Sequence, residues 1–308
     1  MFFKRKEKVY KGRKIPFWSK ENWISIGMSS PYLIIFLTFN ILPIIIAIGL
    51  SFTYFNMLQA PTFNGITNYL NLLTNDDLFL TGLKNTIIMA VCVGPGGYIV
   101  ALIVAWLINE MKGFVRTLMT FLFYAPSISG NVYFIWTVLF SSDSMGYANG
   151  ILMNIGAITE PIRFFQNPSY MMPLCIFIAI WCSFGSGFLN FVAGFKGIDR
   201  QYYEAAMVDG VTNRWQELWY ITLPIMRPQL LFGAVMSISS AFSVGGICTA
   251  LCGFPSTQYA VHTIMNHLED FGGARYEMGY ACAIAVVLFL MIIGTNFLIR
   301  KMLAKVGE

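Results

Sequence analysis

Six stretches of about 20 residues, the length at which a helix crosses a hydrocarbon core, contain no Asp, Glu, Lys, Arg or His. They are residues 32–52, 86–108, 118–140, 171–191, 230–251 and 278–298. In lipid the backbone must satisfy its own polar groups, so each stretch reads as one transmembrane helix. Composition agrees: 56% of the chain is hydrophobic and 11% charged, a ratio that a water-soluble core does not need. The expected fold is an all-α membrane protein of six transmembrane helices. A basic arm, 1–28, precedes a single membrane domain, 29–308, with no linker, repeat or soluble domain beside it.

Orientation follows from the lysines and arginines. Eight precede the first stretch, and others fall at Lys112, Arg116, Lys196, Arg200, Arg214, Arg227, Arg300, Lys301 and Lys305; only Lys84, Arg163 and Arg275 lie on the other side. Both termini are expected in the cytoplasm, and the net charge of +5 reads as a topology signal rather than a nucleic-acid footprint. The arm resembles the start of a signal peptide, but the apolar stretch after it is too long and lacks a small-residue cleavage site, so it is expected to stay as the first span. The six cysteines fall in or beside spans without disulfide or zinc spacing, and are expected to pack as small apolar residues. Cys248 and Cys252 are one helical turn apart.

The absence of ionisable groups from the spans bears on function. Ion-coupled carriers usually keep a titratable or anionic ligand in the bilayer, and this chain offers none. Nor is there a nucleophile with its base or a metal set: the two histidines, His262 and His267, lie between the last two spans at a spacing that shares no helical face. With Glu269 and Asp270 they read as the solvated face of an external loop. No catalytic residue, metal or bound cofactor is expected, and energy for moving a solute must enter from elsewhere.

Between the fourth and fifth spans lies a polar island, YEAAMVDGVTNRWQELWYITLPIMRP, beginning at Tyr203. Asp199 suits the N-cap of a helix through Asp209, and Gly210 can take the left-handed conformation that ends it. Thr212 can cap a second helix over 214–221, which Pro224 and Pro228 then stop. The small Ala205 and Ala206 permit close approach by a partner. Two readings stay open on these grounds: a hairpin that docks a soluble protein, and an amphipathic helix lying on headgroups.

The pattern formed by Glu204, Ala205, Ala206, Gly210, Ile221, Leu223 and Pro224 resembles the EAA signature of permease subunits in binding-protein-dependent ABC importers. FNGITNYLNLL with Asn85 and Thr86, FYAPSISGNVYFIWTVLF, GYANGILM, Asn167 with Pro168, and Trp181 extend the likeness to the carbohydrate branch, of the maltose and glycerol-3-phosphate first-subunit type. The resemblance implies a type I permease fold in a bacterial cell membrane, with a coupling loop at 193–228 and a coupling helix shaped by Glu204, Ala205, Ala206, Asp209, Gly210, Leu223 and Pro224. It implies two ATP-binding partner subunits that hold ATP and Mg²⁺, a second homologous permease and an extracellular substrate-binding protein. The chain has no G-x-x-x-x-G-K-S/T phosphate loop of its own. Where relatives generally carry Ile-Pro before the coupling helix, this chain has Ile198 and Asp199. Where relatives often show Gly-Gly-Pro after the fifth span, it has Gly253, Phe254, Pro255 and Ser256.

A sugar is held by side-chain hydrogen bonds and aromatic stacking, and the uncharged polar groups of the spans supply both. Candidates for the substrate pathway are Tyr124, Ser129, Asn131, Trp136, Trp181, Ser183, Ser240 and Ser243. The resemblance favours Tyr124, Ser129, Ser183, Ser240 and Ser243 as facing the cavity; helix packing or a bond to the preceding turn is the alternative for each. Pro43, the run Gly94, Pro95, Gly96, Gly97 and Pro126 are expected to kink or hinge their spans. The expected function is ATP-driven import of a sugar, an oligosaccharide by preference, by alternating access. The alternatives are a secondary transporter or channel without an ATPase, and a permease for glycerol-phosphate-like solutes.

Overall fold

The computed structural model of the chain describes residues 9–10, 13–14, 20–130 and 132–304. Four helices among the described residues are long and apolar enough to cross a membrane: Trp23–Leu50, Asp77–Glu110, Pro168–Lys196 and Met278–Lys301. Two bent pairs bring the number to six, Gly113–Ile128 with Val132–Leu139 and Arg214–Ile225 with Arg227–Phe242. The first, second, fourth and sixth predicted stretches lie in the four long helices. The third is not one straight helix: it bends by 90° after Ile128. Pro126 in the last turn and Gly130 beyond the Ser129 cap weaken the backbone ladder there. The fifth is shared between Arg227–Phe242 and Gly245–Cys252.

The second span is the column around which the others gather. At 34 residues it is about 50 Å long, so it projects well past the 86–108 stretch at both ends. Asp76 caps it, accepting the Phe79 N–H at 2.8 Å. Its buried residues recur every three or four positions, Phe79, Gly82, Thr86, Met89, Val93, Gly97, Ala101, Ala105 and Ile108, while Ile87, Val91, Ile99, Ile103 and Leu107 face outward. That stripe of small residues lets neighbouring helices come close. The run around Pro95, expected to kink, lies in an unbroken helix. A side chain on Gly97 would come within 2.7 Å of the Ser183 Oγ. The run is therefore a packing face against the fourth span.

Three apolar clusters fill the bundle. Met89, Val93, Cys175, Ile178, Ala241 and Cys248 join the second, fourth and fifth spans at mid-depth. Phe79, Ile238, Phe242, Ile264, Ala283 and Ile284 bring in the sixth span, and Ala101, Ala105, Phe184, Phe188, Phe191 and Met226 close the other end. Cys248 and Cys252 are free thiols within this packing, with the Cys252 Sγ 3.7 Å from that of Cys175. The first span differs, because none of its most apolar window is buried. It touches the bundle where Leu42–Leu50 packs on the sixth span.

Pro43 and Pro224 share a device. Each follows, by two residues, a π-helical stretch, Leu37–Ile41 and Leu218–Thr222 respectively. Widening the turn moves the carbonyl that the proline ring would strike and that has lost its N–H partner. Pro224 thus does not stop its helix, which runs on to Ile225; the chain turns at Met226, by 82°, and Pro228 opens the next helix.

Candidate functional site: the hairpin, the cleft and the loop at the far end

The polar island folds as a hairpin of Arg200–Val208 and Arg214–Glu217, the latter continued to Ile225. Asp199 caps the first helix, its carboxylate accepting from the Gln201 N–H at 3.1 Å. Gly210 ends it at φ +93°, with its own N–H on the Met207 carbonyl and that of Val211 on the Ala206 carbonyl. That bond pair is the Schellman closure, which requires a left-handed residue. The cap of the second helix is Asn213, accepting from the Trp215 N–H at 2.9 Å. Thr212, the expected cap, instead donates its backbone N–H to the Gln216 side chain at 3.2 Å.

One side of the hairpin is fastened to the bundle. The Tyr203 hydroxyl meets the Thr222 hydroxyl at 3.0 Å. Arg214 pairs with Glu217 at 2.7 Å and with Glu110, at the end of the second span, at 3.3 Å. The Trp215 and Trp106 rings lie 4.9 Å apart. The other side is open: Tyr202, Glu204, Ala205, Met207, Val208 and Asp209 are exposed, Val208 to 88%. Ala206 departs from expectation, being buried, so its small size serves the hairpin's own closure. Leu223 is half-buried and Pro224 exposed.

A cleft of about 200 Å³ lies between the second, third, fourth and fifth spans, and Tyr133, Ser183, Ser186, Ser237 and Ser240 are in its wall. Ser183 and Ser240 are thus brought together. The Ser183 hydroxyl donates to the Ile180 carbonyl at 2.6 Å and that of Ser243, which is exposed, to the Ser239 carbonyl at 3.2 Å. Such bonds to the preceding turn leave the oxygens as acceptors. Trp136 and Trp181 pack edge to face at 5.0 Å, and the Trp136 indole N–H is buried without a partner. Tyr124 packs away from the cleft, against the cluster around Phe184 and Phe188. Ser129 is exposed at the bend of the third span, and Asn131 lies outside the described residues.

At the opposite end from the hairpin, the segment after the fifth span corrects an expectation. Of His262, His267, Glu269 and Asp270, only Glu269 is exposed. Asp270 pairs with Arg275 at 2.7 Å. His262 and His267 are 3% and 1% exposed and bonded in series: the His262 Nε2 to the His267 Nδ1 at 3.1 Å, and the His267 Nε2 to the Asp76 carboxylate at 2.9 Å. The carboxylate accepts only, so the His267 Nε2 is the donor to Asp76, and the His262 Nδ1 is left buried and unpartnered. Burial, with His267 beside it, pulls the His262 pKa down to about 4. For Asp76 burial acts upward, but the Phe79 N–H, the Tyr280 hydroxyl and His267 outweigh it and hold the carboxyl below its ordinary value.

Asn85 and Thr86 fix the same segment to the second span. The Asn85 amide donates to the His262 carbonyl at 2.9 Å, and the Thr86 hydroxyl accepts from the Ile264 N–H at 3.0 Å. The carboxylate that anchors the pair was not visible in the sequence, because Asp76 lies 191 residues from His267. Asn85 and Thr86, by contrast, stand among the residues that carry the resemblance.

A sequence model of the family described as "Binding-protein-dependent transport system inner membrane component" matches residues 95–306. The chain is 34% identical over 287 residues to the probable ABC transporter permease protein YesP of Bacillus subtilis (strain 168), covering 91% of this chain and 90% of that one. It is 27% identical to the arabinooligosaccharides transport system permease protein AraP of the same organism, over 89% of this chain and 86% of the relative. It also superposes, with a TM-score of 0.74 and 27% identity, on a chain in the crystal structure of a bacterial ABC transporter involved in the import of the acidic polysaccharide alginate. That match covers 94% of this chain and 98% of the other.

Proposed function

The chain belongs to the binding-protein-dependent transport system inner membrane components, and from that premise we propose that it is one permease of an ATP-driven importer that carries an oligosaccharide from an extracellular binding protein into a bacterial cytoplasm. The observation that carries the coupling part of this reading is the two-sided hairpin. Arg214 and Trp215 fasten it to Glu110 and Trp106 of the second span, and Tyr202, Glu204, Met207, Val208 and Asp209 stand open on the other side. A groove on a nucleotide-binding subunit takes up that open side. ATP and Mg²⁺ sit on a pair of such subunits, and their closure moves the hairpin with the second span as one body. The solute site then opens to alternate sides of the membrane.

A second, homologous permease completes the pathway, and both termini of this chain lie with the hairpin in the cytoplasm. The sugar is met by serines 183 and 240 and by the indoles of Trp136 and Trp181, whose chemistry suits hydroxyls and the apolar faces of rings. AraP and the alginate transporter, one named for an arabinooligosaccharide and the other for a polysaccharide, support a saccharide of several units.

The test is Glu204→Lys in the assembled, reconstituted importer. Uptake and the ATPase stimulation caused by the binding protein are expected to fall at least about tenfold, as charge reversal at a docked interface commonly costs, with the amount of inserted permease unchanged. Full stimulation by the variant would overturn the assignment of the hairpin.

A further inference from the structure

At the end of the bundle away from the hairpin, segments 54–76 and 271–280 enclose an open cleft of about 400 Å³. Its polar lining is Asn64, Asn68, Asn71, Asn75, Asp76 and Glu277, with aromatic side chains between them and no Lys or Arg. The hydrogen bonds already made decide what the lining can still offer. Asn68 is 5% exposed and spends its amide N–H groups on the Ser51 and Thr53 carbonyls, both at 2.9 Å, so its amide oxygen is the group left without a partner. Asn75 donates to the Asn71 amide oxygen at 3.1 Å, which leaves the Asn75 carbonyl oxygen and the Asn71 amide N–H groups over. Glu277 is exposed and its carboxylate adds two more acceptors.

Asp76 adds charge without being free to move. Both its oxygens are held, one by the Phe79 N–H and the other by His267 and Tyr280. The cleft therefore carries negative charge and is preformed. Its two carboxylates, Asp76 and Glu277, face no Lys or Arg among the described lining residues, and a guanidinium or ammonium group, which has donors alone, is the complement of that charge. Beside the cleft, Arg275 pairs with Asp270 and lies with its guanidinium 4.3 Å from the centre of the Phe271 ring, one of the lining aromatics.

Resting on the importer reading above, we infer that this cleft is the seat for a basic side chain, Arg or Lys, of the extracellular binding protein. The seat is rigid where load would enter. Asp76 caps the second span, and that span runs unbroken to Glu110, which meets Arg214 of the hairpin. A binding protein drawn into the cleft by charge thus docks on the outer end of the helix whose inner end holds the ATPase-facing hairpin.

The test uses the complete importer in nanodiscs with its purified, sugar-loaded binding protein, and the substitutions Glu277→Lys and Asn64→Lys, neither of whose side chains holds another element. Affinity for the binding protein is expected to fall about tenfold or more at low salt, with a weaker dependence on ionic strength than the parent complex. Basal ATPase activity stays unchanged, and an acidic replacement at the mating basic residue of the binding protein restores affinity. Undiminished affinity in both variants overturns the inference; so does loss of free-oligosaccharide binding with binding-protein affinity intact, which would make the cleft a sugar site. A parent complex whose ATPase never responds to any binding protein defeats the importer reading itself, a result distinct from a responsive parent with indifferent variants.

Discussion

Gly210 holds φ at +93°, a conformation in which any Cβ is strained although nothing lies within 4 Å of the position. Gly210→Val is expected to cost about 1–2 kcal/mol at the end of the first hairpin helix. The readout is loss of ATPase subunits from the purified complex with membrane insertion unchanged; retention of both subunits at parental levels would contradict it. His262 makes a different demand. Its pKa of about 4 lies below the ordinary 6.5, so the unfolded segment takes up a proton before the folded one does. The stabilisation it supplies is complete above about pH 6.5 and is lost as pH falls toward 4, by up to roughly 3 kcal/mol. Asp76, with its lowered pKa, adds a loss in the same direction at still lower pH. Facing His262 are His267, which opposes its protonation, and Asp270 and Asp76, which favour it. Hydrogen-exchange protection of the 259–267 backbone, corrected for the fall of the intrinsic exchange rate with pH, should therefore drop between about pH 6.5 and pH 4.5, and His262→Gln should flatten that profile. An equally steep profile in the variant would refute the assignment. The sequence announced Gly210 through its position after a helix, but nothing local announced the histidine pair, whose solvated reading failed because Asp76 reaches it from the far end of another helix.

Helical elements were legible where one local rule settles them. Asp199 followed by a helix-forming run and a glycine is such a case, and so is each apolar stretch long enough to span. Element ends were less so: Asn213 displaced Thr212 as cap, and Pro224 was absorbed by the π-helical stretch Leu218–Thr222 rather than ending the helix. The glycine run of the second span was expected to kink or hinge, and the neighbour at Gly97, the Ser183 side chain, makes it a packing face. Gly97→Leu is expected to force the second and fourth spans apart at a cost of about 1–3 kcal/mol, seen as a lowered unfolding temperature in detergent. Gly246→Ala is the control, since no atom lies within 4 Å of the Cβ it adds; equal behaviour of the two variants would return the run to a hinge.

Across the whole molecule, the first span has none of its most apolar window buried, and the serine cleft is small and set between four spans. A subunit with that much uncovered surface is built to meet lipid and a neighbour. Vesicles containing this chain alone are therefore expected to show no saccharide uptake, and uptake should appear only with a second permease, the ATPase subunits and the binding protein present together. Radiolabelled uptake by the chain alone would defeat the assembly. Lipid as the solvent, the six apolar stretches and the place of the hairpin were legible before any fold, because hydropathy and a contiguous motif are sums over neighbours in the chain. Which face of each span looks inward, where the third span breaks, which serines share a cleft, and how residue 76 comes to hold residue 267 emerge from the packed fold alone. In lipid every apolar face is equally well solvated, so helix rotation is set by close packing and by hydrogen bonds between residues far apart in sequence.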